Sequence, residues 1–303
     1  MGKILSITLH LGLCLGTLAC FVSPVFAQVR FDSTDPEVLK GYGSPMGVTY
    51  TERSGLKDKN TQKLMLTGFL SKKEQRQLGQ LSQLEILFLK NNHLQQLPSS
   101  LSQNSLLFIL VSNDNPLSYF PPELGQIPSL LYLEMTQTRL DSLPFELAAL
   151  GNLELLRIFY NESDSLLFVD SMPGLPSLRS IEFYNVNLHR IPDFVFRCKN
   201  LESLMMVNCK IDSLPEDIAQ LSKLKILDLA GNNISELPES LLRLNNLSEI
   251  NLAQNQLSQI SEHFAYQPKL YYLNLKGNPI PQSEVMPLKI ISKRKDLRVI
   301  FEP

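Results

Sequence analysis

The residues that could do chemistry begin with two glutamates on either side of an arginine. Glu134, Arg157 and Glu182 each stand between two apolar residues, at steps of 23 and 25 residues. If these segments pair as neighbouring parallel strands, two strand spacings separate the carboxylates by about 9–10 Å, near the roughly 6.5–9.5 Å of inverting glycosidases. An arginine between them favours the ionised form of both, which does not suit a general acid. We therefore expect a cross-strand charge ladder rather than a catalytic pair.

The histidines and cysteines form no pattern that would hold a metal or make a nucleophile. None of the four histidines has another ligand type at metal-binding spacing, and no GxSxG, HExxH, Gly-rich phosphate loop or paired CxxC motif occurs. We expect a non-catalytic protein with no cofactor and no metal. Cys198 and Cys209 could form a disulfide in an exported protein, but each occupies a buried position of the repeat described next. We expect two buried thiols.

Leucines recur at a fixed step, and this repeat supplies the elements that position the residues above. The pattern LxxLxLxxNxLxxLPxxLxxL occurs nine times, with a step of 23 residues that is broken once by a step of 25. A degenerate tenth copy starts at Thr61, with Leu64 and Leu66 at its strand positions. The nine clear copies start at Leu84, Leu107, Leu130, Leu153, Leu178, Leu201, Leu224, Leu247 and Leu270.

This pattern resembles the leucine-rich repeat family, specifically its short class of 23 residues with an LPxxLxxL second half, of the bacterial exported type. The LxL alternation predicts a short strand whose leucines point one way, and neighbouring copies can pair in parallel about 4.8 Å apart. The expected fold class is an α/β repeat solenoid, a curved leucine-rich repeat horseshoe with a parallel sheet on the concave face and irregular or 3-10 convex segments. The resemblance implies interaction rather than catalysis.

Two further positions of the repeat predict how the N–H and C=O groups of the backbone are hydrogen-bonded. The asparagine after each strand should bond backbone groups where the chain turns inward. Val186 stands at this position and offers no hydrogen bond, so we expect looser packing or a water there. The proline of the Leu-Pro pair lacks an N–H, so the return path should not pair as a second sheet. The fourth copy departs from the pattern after Asn161, with Leu167 in place of the proline, which predicts a convex bulge.

The two ends of the chain differ from the repeats. The first residues have the form of a secretory signal, with Lys3, the apolar stretch Ile4–Phe21 and a cleavage site that ends at Ala27. The alternatives are an uncleaved membrane anchor or a lipid on Cys20. The predicted organisation is a signal peptide at 1–27, an N-terminal cap at 28–60, the repeats at 61–280 and a C-terminal cap at 281–303.

Charge and the signal sequence limit the location and the partners. A formal net charge of −2 gives no basic face that would neutralise phosphates, so we expect no nucleic acid partner. The signal predicts a secreted, periplasmic or cell-surface protein, which would contact the membrane only through an uncleaved or lipidated N terminus. Two alternatives remain open: a structural or adhesive surface protein held by that N terminus, and a cytosolic signalling adaptor if the signal is misassigned.

The outward positions of the strands are the candidate binding surface. They are rich in aromatic and apolar residues in the first half of the array and polar in the last three copies. Exposed aromatics grouped with an arginine are typical of a protein or peptide interface, although strand-forming aromatics could simply stabilise the sheet. We expect a protein or peptide ligand, with a glycan as a further option. The predicted partner-binding residues are Phe88, Val111, Tyr132, Glu134, Arg157, Phe159, Tyr160, Glu182, Tyr184 and Met205.

Overall fold

The structure is a computed structural model that describes residues 50–293 and 296–301. The predicted signal sequence and residues 28–49 of the predicted N-terminal cap lie outside the described residues. The described residues from Thr51 onward belong to one compact unit. The strands are β1 (Lys63–Thr67), β2 (Ile86–Lys90), β3 (Ile109–Asn113), β4 (Tyr132–Thr138), β5 (Ser142–Leu143), β6 (Leu155–Asn161), β7 (Leu167–Phe168), β8 (Ser180–Val186), β9 (Ser203–Val207), β10 (Ile226–Asp228), β11 (Glu249–Asn251), β12 (Tyr272–Asn274) and β13 (Arg298–Ile300). The helices are α1 (Lys72–Leu78), α2 (Asp193–Arg197) and α3 (Gln282–Ser292).

One sheet of eleven parallel strands runs through the described part of the chain, in the order β1-β2-β3-β4-β6-β8-β9-β10-β11-β12-β13. Each strand pairs with the equivalent strand of the next copy; Leu227, for example, pairs with Leu204 on one side and Ile250 on the other. These three side chains are fully buried. The LxL alternation therefore predicted both the pairing and the side that faces the core.

The column of asparagines bonds adjacent copies together, as predicted. Asn232 Oδ1 accepts the backbone N–H groups of Cys209 and Ile211, each at 3.0 Å. Its Nδ2 donates to the carbonyl oxygens of Met206 and Leu229 at 2.7 and 2.8 Å. One side chain thus satisfies four backbone groups that the inward turn would otherwise leave buried and unpaired.

The exceptional column position Val186 is fully buried, and the expectation of looser packing or a water there stays a prediction. A hydrogen bond from the Val186 backbone lowers the pKa of the Cys209 thiol against the larger effect of burial. Cys198 and Cys209 are free thiols, both fully buried. Burial raises the pKa of the Cys198 thiol to about 11 and that of Cys209 to about 12. Both cysteines therefore pack as small apolar residues.

A left-handed residue precedes each position of the asparagine column, a feature that the leucine pattern did not predict. The φ angles at these positions lie between 51° and 72°, and the sharp inward turn after each strand requires this conformation. Three copies supply glycine, which adopts it without penalty. The column is Gly68, Asn91, Asp114, Gln137, Tyr160, Asn185, Asn208, Gly231, Gln254 and Gly277.

The convex side consists mainly of short 3-10 turns, as expected for the fold class. Most begin directly after the Leu-Pro proline, whose fixed φ suits the entry into a helical turn. Adjacent turns approach closely; a Cβ added to Gly125 would lie 2.2 Å from the carbonyl oxygen of Glu146. The 3-10 turns are Arg53–Lys57, Ser99–Gln103, Pro122–Gln126, Phe145–Ala149, Glu216–Gln220, Glu239–Arg243 and Glu262–Tyr266.

The prediction that the return path does not pair is wrong at two places: β5 and β7 form a two-stranded parallel sheet, and Gln96 and Tyr119 form a parallel bridge. Leu143 pairs with Phe168, so Val169, rather than Leu167, stands opposite Pro144. The pairing uses the N–H of Leu167, which donates to the Asp141 carbonyl at 2.9 Å.

Both ends of the sheet are extended by non-repeat segments. At the N-terminal edge, Thr51 exchanges backbone hydrogen bonds with β1 through Lys63 and Met65. At the C-terminal edge, β13 pairs with β12, and α3 buries Val285 and Leu288 against the last copy. Across residues 50–293 and 296–301 no helix has the length and apolar composition that a bilayer crossing needs.

Candidate functional site

Rows of side chains cross the concave face because the strands pair in register. One row lies at the strand centres, and a second, two residues on, brings Phe159 beside Tyr184 on the neighbouring strand. Tyr132 projects from β4 two residues before Glu134, on the same face. The structure thus brings the predicted binding residues into one continuous surface. From β2 to β9 the central row reads Phe88, Val111, Glu134, Arg157, Glu182 and Met205.

Most of these residues are buried, which corrects the expectation that they are exposed. In-register pairing contributes to the burial, because equivalent side chains of adjacent copies stand about 4.8 Å apart and cover one another. Glu134, Tyr160, Tyr184 and Met205 keep partial exposure. Exposure is between 3% and 8% for Phe88, Val111, Tyr132, Arg157, Phe159 and Glu182.

Arg157 holds both glutamates in one cluster, which is the predicted charge ladder. Its Nε donates to Glu182 Oε2 at 2.7 Å, and its Nη1 lies 3.3 Å from Glu134 Oε2. Nη1 also donates to the Tyr132 hydroxyl at 2.8 Å, and that hydroxyl donates to Glu134. Ser180 Oγ donates to the second oxygen of Glu182 at 3.2 Å. Both carboxylates therefore act as acceptors of one charged network across β4, β6 and β8.

The ionisation of this cluster follows from burial and from its two acids. Burial alone would lower the pKa of Arg157, but Glu182, Tyr132 and Glu134 raise it well above its usual range. Burial raises the pKa of Tyr132, and the nearby Glu134 carboxylate adds to that increase against the opposing effect of Arg157. The arginine stays charged and the tyrosine stays protonated, so the network keeps its hydrogen-bond polarity around neutral pH.

Aromatic rings pack around the guanidinium on the same face. The Arg157 Cζ lies 5.5 Å from the centre of the Phe159 ring and 5.7 Å from that of Tyr132. Phe159 stacks on Tyr184 with ring centres 4.7 Å apart, and the Tyr184 hydroxyl donates to the Met205 sulfur at 3.1 Å. Stacked rings and cation–π contacts fix these side chains before any ligand arrives.

Tyr160 ends this aromatic row in a strained conformation. Its φ is 54°, and for a residue with a side chain this left-handed region costs roughly 1–2 kcal/mol. Bulky residues held in such conformations concentrate at functional sites, where the strain is tolerated. Because the equivalent residue is left-handed in every copy, this strain belongs to the turn of the repeat.

Asp228 and Ser203 also lie on the concave face, next to the predicted set, and sequence reasoning did not include them. Asp228 follows Met205 in the central row, and Ser203 precedes Met205 by two residues on β9. The sequence places Asp228 among the polar outward residues of the last three copies, which the predicted binding set left out. No sequence signal marks Ser203, whose hydroxyl is buried without a hydrogen-bond partner among the described residues.

Metal binding finds no support on this surface. In the part of the chain that the structure describes, no group of three or more histidine, cysteine, aspartate or glutamate side chains is arranged to hold an ion. The carboxylates of the concave face are instead bonded to Arg157, Tyr132, Ser180, Asn251 and Tyr271.

Comparison with known proteins identifies the repeat. The profile of the leucine rich repeat family matches residues 222–280. A solved leucine-rich repeat protein of Leptospira interrogans is 29% identical, with a TM-score of 0.69 over 84% of this chain and 70% of that chain. No curated protein matches the chain.

Two solved complexes share the fold at lower identity. A plant peptide hormone receptor, RGFR1, in complex with RGF2 is 24% identical, with a TM-score of 0.60 over 79% of this chain and 39% of that one. TLR13 in complex with ssRNA13 is 23% identical, with a TM-score of 0.65 over 80% of this chain and 36% of that one. At these identities the similarity concerns the fold.

Proposed function

Because the chain is a leucine-rich repeat protein, we propose that it is an exported, non-catalytic scaffold that binds a protein or peptide on the concave face. The fold itself does not name a ligand. The proposal therefore rests on the side chains that the sheet presents there.

The observation that carries the proposal is the cluster of Arg157, Phe159 and Tyr184 at the centre of the sheet. Tyr184 is its partly exposed member, and tyrosine is enriched among the side chains that anchor protein interfaces. Here the arginine is held by two carboxylates, and the tyrosine is stacked on a ring 4.7 Å away. Little side-chain entropy remains to be lost on binding, which favours affinity.

The ten predicted residues divide into two layers in this proposal. The partly exposed Glu134, Tyr160, Tyr184 and Met205 would touch the ligand directly. The more deeply buried members of the set would hold them in position and exclude water from the contact. These buried members are Phe88, Val111, Tyr132, Arg157, Phe159 and Glu182.

The related complexes and the carboxylates of the concave face indicate the chemistry of the ligand. RGFR1 shares this fold and is in complex with RGF2, a precedent for a peptide. TLR13 shares it in complex with ssRNA13, so the comparisons do not support the exclusion of nucleic acid that the net charge suggested. Glu134, Glu182, Asp228 and Glu249 all project from this face, and carboxylates disfavour phosphates. We therefore retain a protein or peptide ligand, with a glycan or RNA as outcomes to be tested.

Partner capture by surface variants tests the proposal. The purified chain is used as bait for exported proteins of the producing cells, with Tyr184→Ser and Met205→Ser as concave variants. Tyr119→Ser is the matched control, because Tyr119 is 51% exposed and lies outside the main sheet. Capture should fall with both concave variants and persist with the control. Unchanged capture by a folded Tyr184→Ser protein would refute the concave site.

Export is tested separately. Intact mass of the protein recovered from culture medium, periplasm and membranes should correspond to a chain that begins at Gln28. A mass that retains residues 1–27, or that carries a lipid on Cys20, would favour the surface-anchored alternative. Recovery of the unprocessed chain from the cytosol alone would favour the adaptor alternative.

A further inference from the structure

Asp228 lies at the end of β10 on the concave face, between Met205 and Asn251 of the neighbouring strands. Its Oδ1 accepts the backbone N–H of Ala230 at 3.1 Å, and its Oδ2 accepts Nδ2 of Asn251 at 3.0 Å. The first bond closes the turn after the strand, which is a structural role.

That structural role does not require a negative charge. In the next copy Asn251 Oδ1 accepts the N–H of Ala253 at 3.2 Å, and in the copy after it Asn274 Oδ1 accepts the N–H of Lys276 at 3.1 Å. An amide oxygen thus closes the same turn twice. The carboxylate at position 228 therefore adds a charge that the turn does not need.

This charge has no counterion in the described part of the chain. The charged side chain that shifts the pKa of Asp228 is Glu249, which carries the same sign. Burial raises the pKa of Asp228, and the Glu249 carboxylate adds to the rise, against the opposing bonds from Ala230 and Asn251. A partly buried carboxylate without a cation costs free energy. Such a cost is typical of a group kept for binding.

The surface beside Asp228 is low on one side. Ala230 and Ala253 follow Asp228 and Asn251 by two residues on the same face, where other copies carry larger side chains such as Phe159 and Tyr184. Small residues on one flank leave room for an incoming side chain. Tyr184 and Met205 lie on the other flank and can cover the aliphatic part of such a side chain.

We propose that Asp228 and the adjoining alanines form the anchoring point for a lysine or arginine side chain of the bound peptide. This inference rests on the proposed function, since it names a chemical feature of the ligand on the same face. The cation would pair with the Asp228 carboxylate. A charge-assisted bond in a partly buried setting is the strongest kind available on this surface.

Selection of peptides from a random library tests the anchoring point even though the natural partner is unidentified. Phage that display random 12-residue peptides are selected on the immobilised full-length chain, and the bound peptides are aligned. A lysine or arginine should be enriched at one aligned position. Binding of a selected peptide should weaken by at least about tenfold when that residue is replaced by norleucine, which removes the charge and keeps the stem.

The matched protein variant is Asp228→Asn, which keeps the oxygen that closes the turn, as Asn251 and Asn274 do. It should weaken binding as much as the norleucine peptide, and the two changes together should cost little more than either alone. A melting temperature within a few degrees of wild type confirms that Asp228→Asn is folded.

The outcomes separate this inference from the proposed function. Peptides without an enriched basic residue that still lose binding with Tyr184→Ser would overturn the anchoring point and leave the concave site standing. Equal binding of basic peptides by wild type and Asp228→Asn would overturn it as well. Failure of the folded wild-type chain to enrich any peptide, or enrichment that Tyr184→Ser leaves unchanged, would count against both proposals.

Discussion

The residue before the asparagine column has the same backbone conformation in every copy, but its side chain differs from copy to copy. The position before the asparagine column is left-handed in every copy from Gly68 to Gly277, yet its occupants range from glycine to tyrosine. Glycine adopts this region freely, whereas a residue with a Cβ is strained there by roughly 1–2 kcal/mol. The leucine pattern did not predict this column, because its identity varies while only its backbone angle is constant.

The strain at this column predicts opposite effects of two substitutions. Gly231→Ala should lower the free energy of unfolding by about 1–2 kcal/mol, because φ is 70° and the new Cβ would lie 1.8 Å from Asn208 Oδ1. Gln137→Gly should raise it by about 0.5–1 kcal/mol, since Gln137 is exposed at a φ of 53°. Urea unfolding measures both. Equal signs for the two variants would contradict this account.

Loss of one asparagine side chain should cost more than any substitution at the turn. Asn232→Val removes the partners of four buried backbone groups, so we expect a loss of about 3 kcal/mol or more. Asn233→Val is the control, because Asn233 is exposed and its side chain bonds only to Asp212. Denaturant titration gives both values, and a loss below about 1 kcal/mol at Asn232 would contradict the role of the column.

The charge of Asp228 predicts a pH dependence of stability. Its pKa is raised in the folded state, so the folded chain binds a proton more tightly than the unfolded chain, whose aspartates titrate near about 3.9. The contribution of Asp228 to the free energy of unfolding is therefore largest at low pH and decreases as the pH rises through the raised pKa. Relative to Asp228→Asn, wild type should gain stability from pH 7 towards pH 4. A difference between the two proteins that does not change with pH would contradict the raised pKa.

At the scale of the strands, the sequence predicted the neighbours but not their burial. The steps of 23 and 25 residues were sufficient to predict Arg157 between Glu134 and Glu182, and the hydrogen bonds follow that order. Periodicity specifies the face on which a side chain lies. It does not specify how completely the neighbouring side chains fill the space between strands, and so the predicted exposure of the concave aromatics was wrong.

We expect the stability of the protein to depend strongly on the positive charge of Arg157. In Arg157→Met the glutamates would lose their shared partner while their side chains remain only 14% and 11% exposed, which should cost about 3–5 kcal/mol. Adding Glu182→Gln should recover part of this loss, because it removes one of the like charges. Thermal and urea unfolding measure the series.

The control for this series is an exposed ion pair of the same type. Arg139 and Glu162 also pair across adjacent copies, but their side chains are 63% and 57% exposed. Arg139→Met should therefore change stability by less than about 1 kcal/mol. Similar losses for Arg139→Met and Arg157→Met would contradict the importance of burial in the cluster.

At the scale of the whole repeat array, stability comes from interfaces between copies and from the ends that cover them. The fold class and the number of repeat strands could be predicted because the leucines fix both the strand and its core face. The two-stranded sheet of β5 and β7 could not, because it depends on the path of two inserted residues. The C-terminal cover could be assigned only by composition, since α3 and β13 break the period.

Substitutions in α3 test the contribution of this end. Leu288 is fully buried, whereas Ile290 on the same helix is 55% exposed. Leu288→Ala should lower the free energy of unfolding by about 2–5 kcal/mol, and Ile290→Ala should change it by about 0.5 kcal/mol or less. Because copies are coupled to their neighbours, hydrogen exchange should increase first in β12 and β11. Uniform exchange along the sheet in Leu288→Ala would contradict this local effect.

The most direct test of the central claim, that the concave face recognises the partner, is site-specific photocrosslinking. A photoreactive benzoylphenylalanine replaces Tyr184 on the concave face or Tyr119 outside it, and each protein is irradiated with the captured partner or a selected peptide. We predict a covalent adduct from position 184 and none from position 119. Adducts from position 119 alone, or equal yields from both positions, would contradict the account.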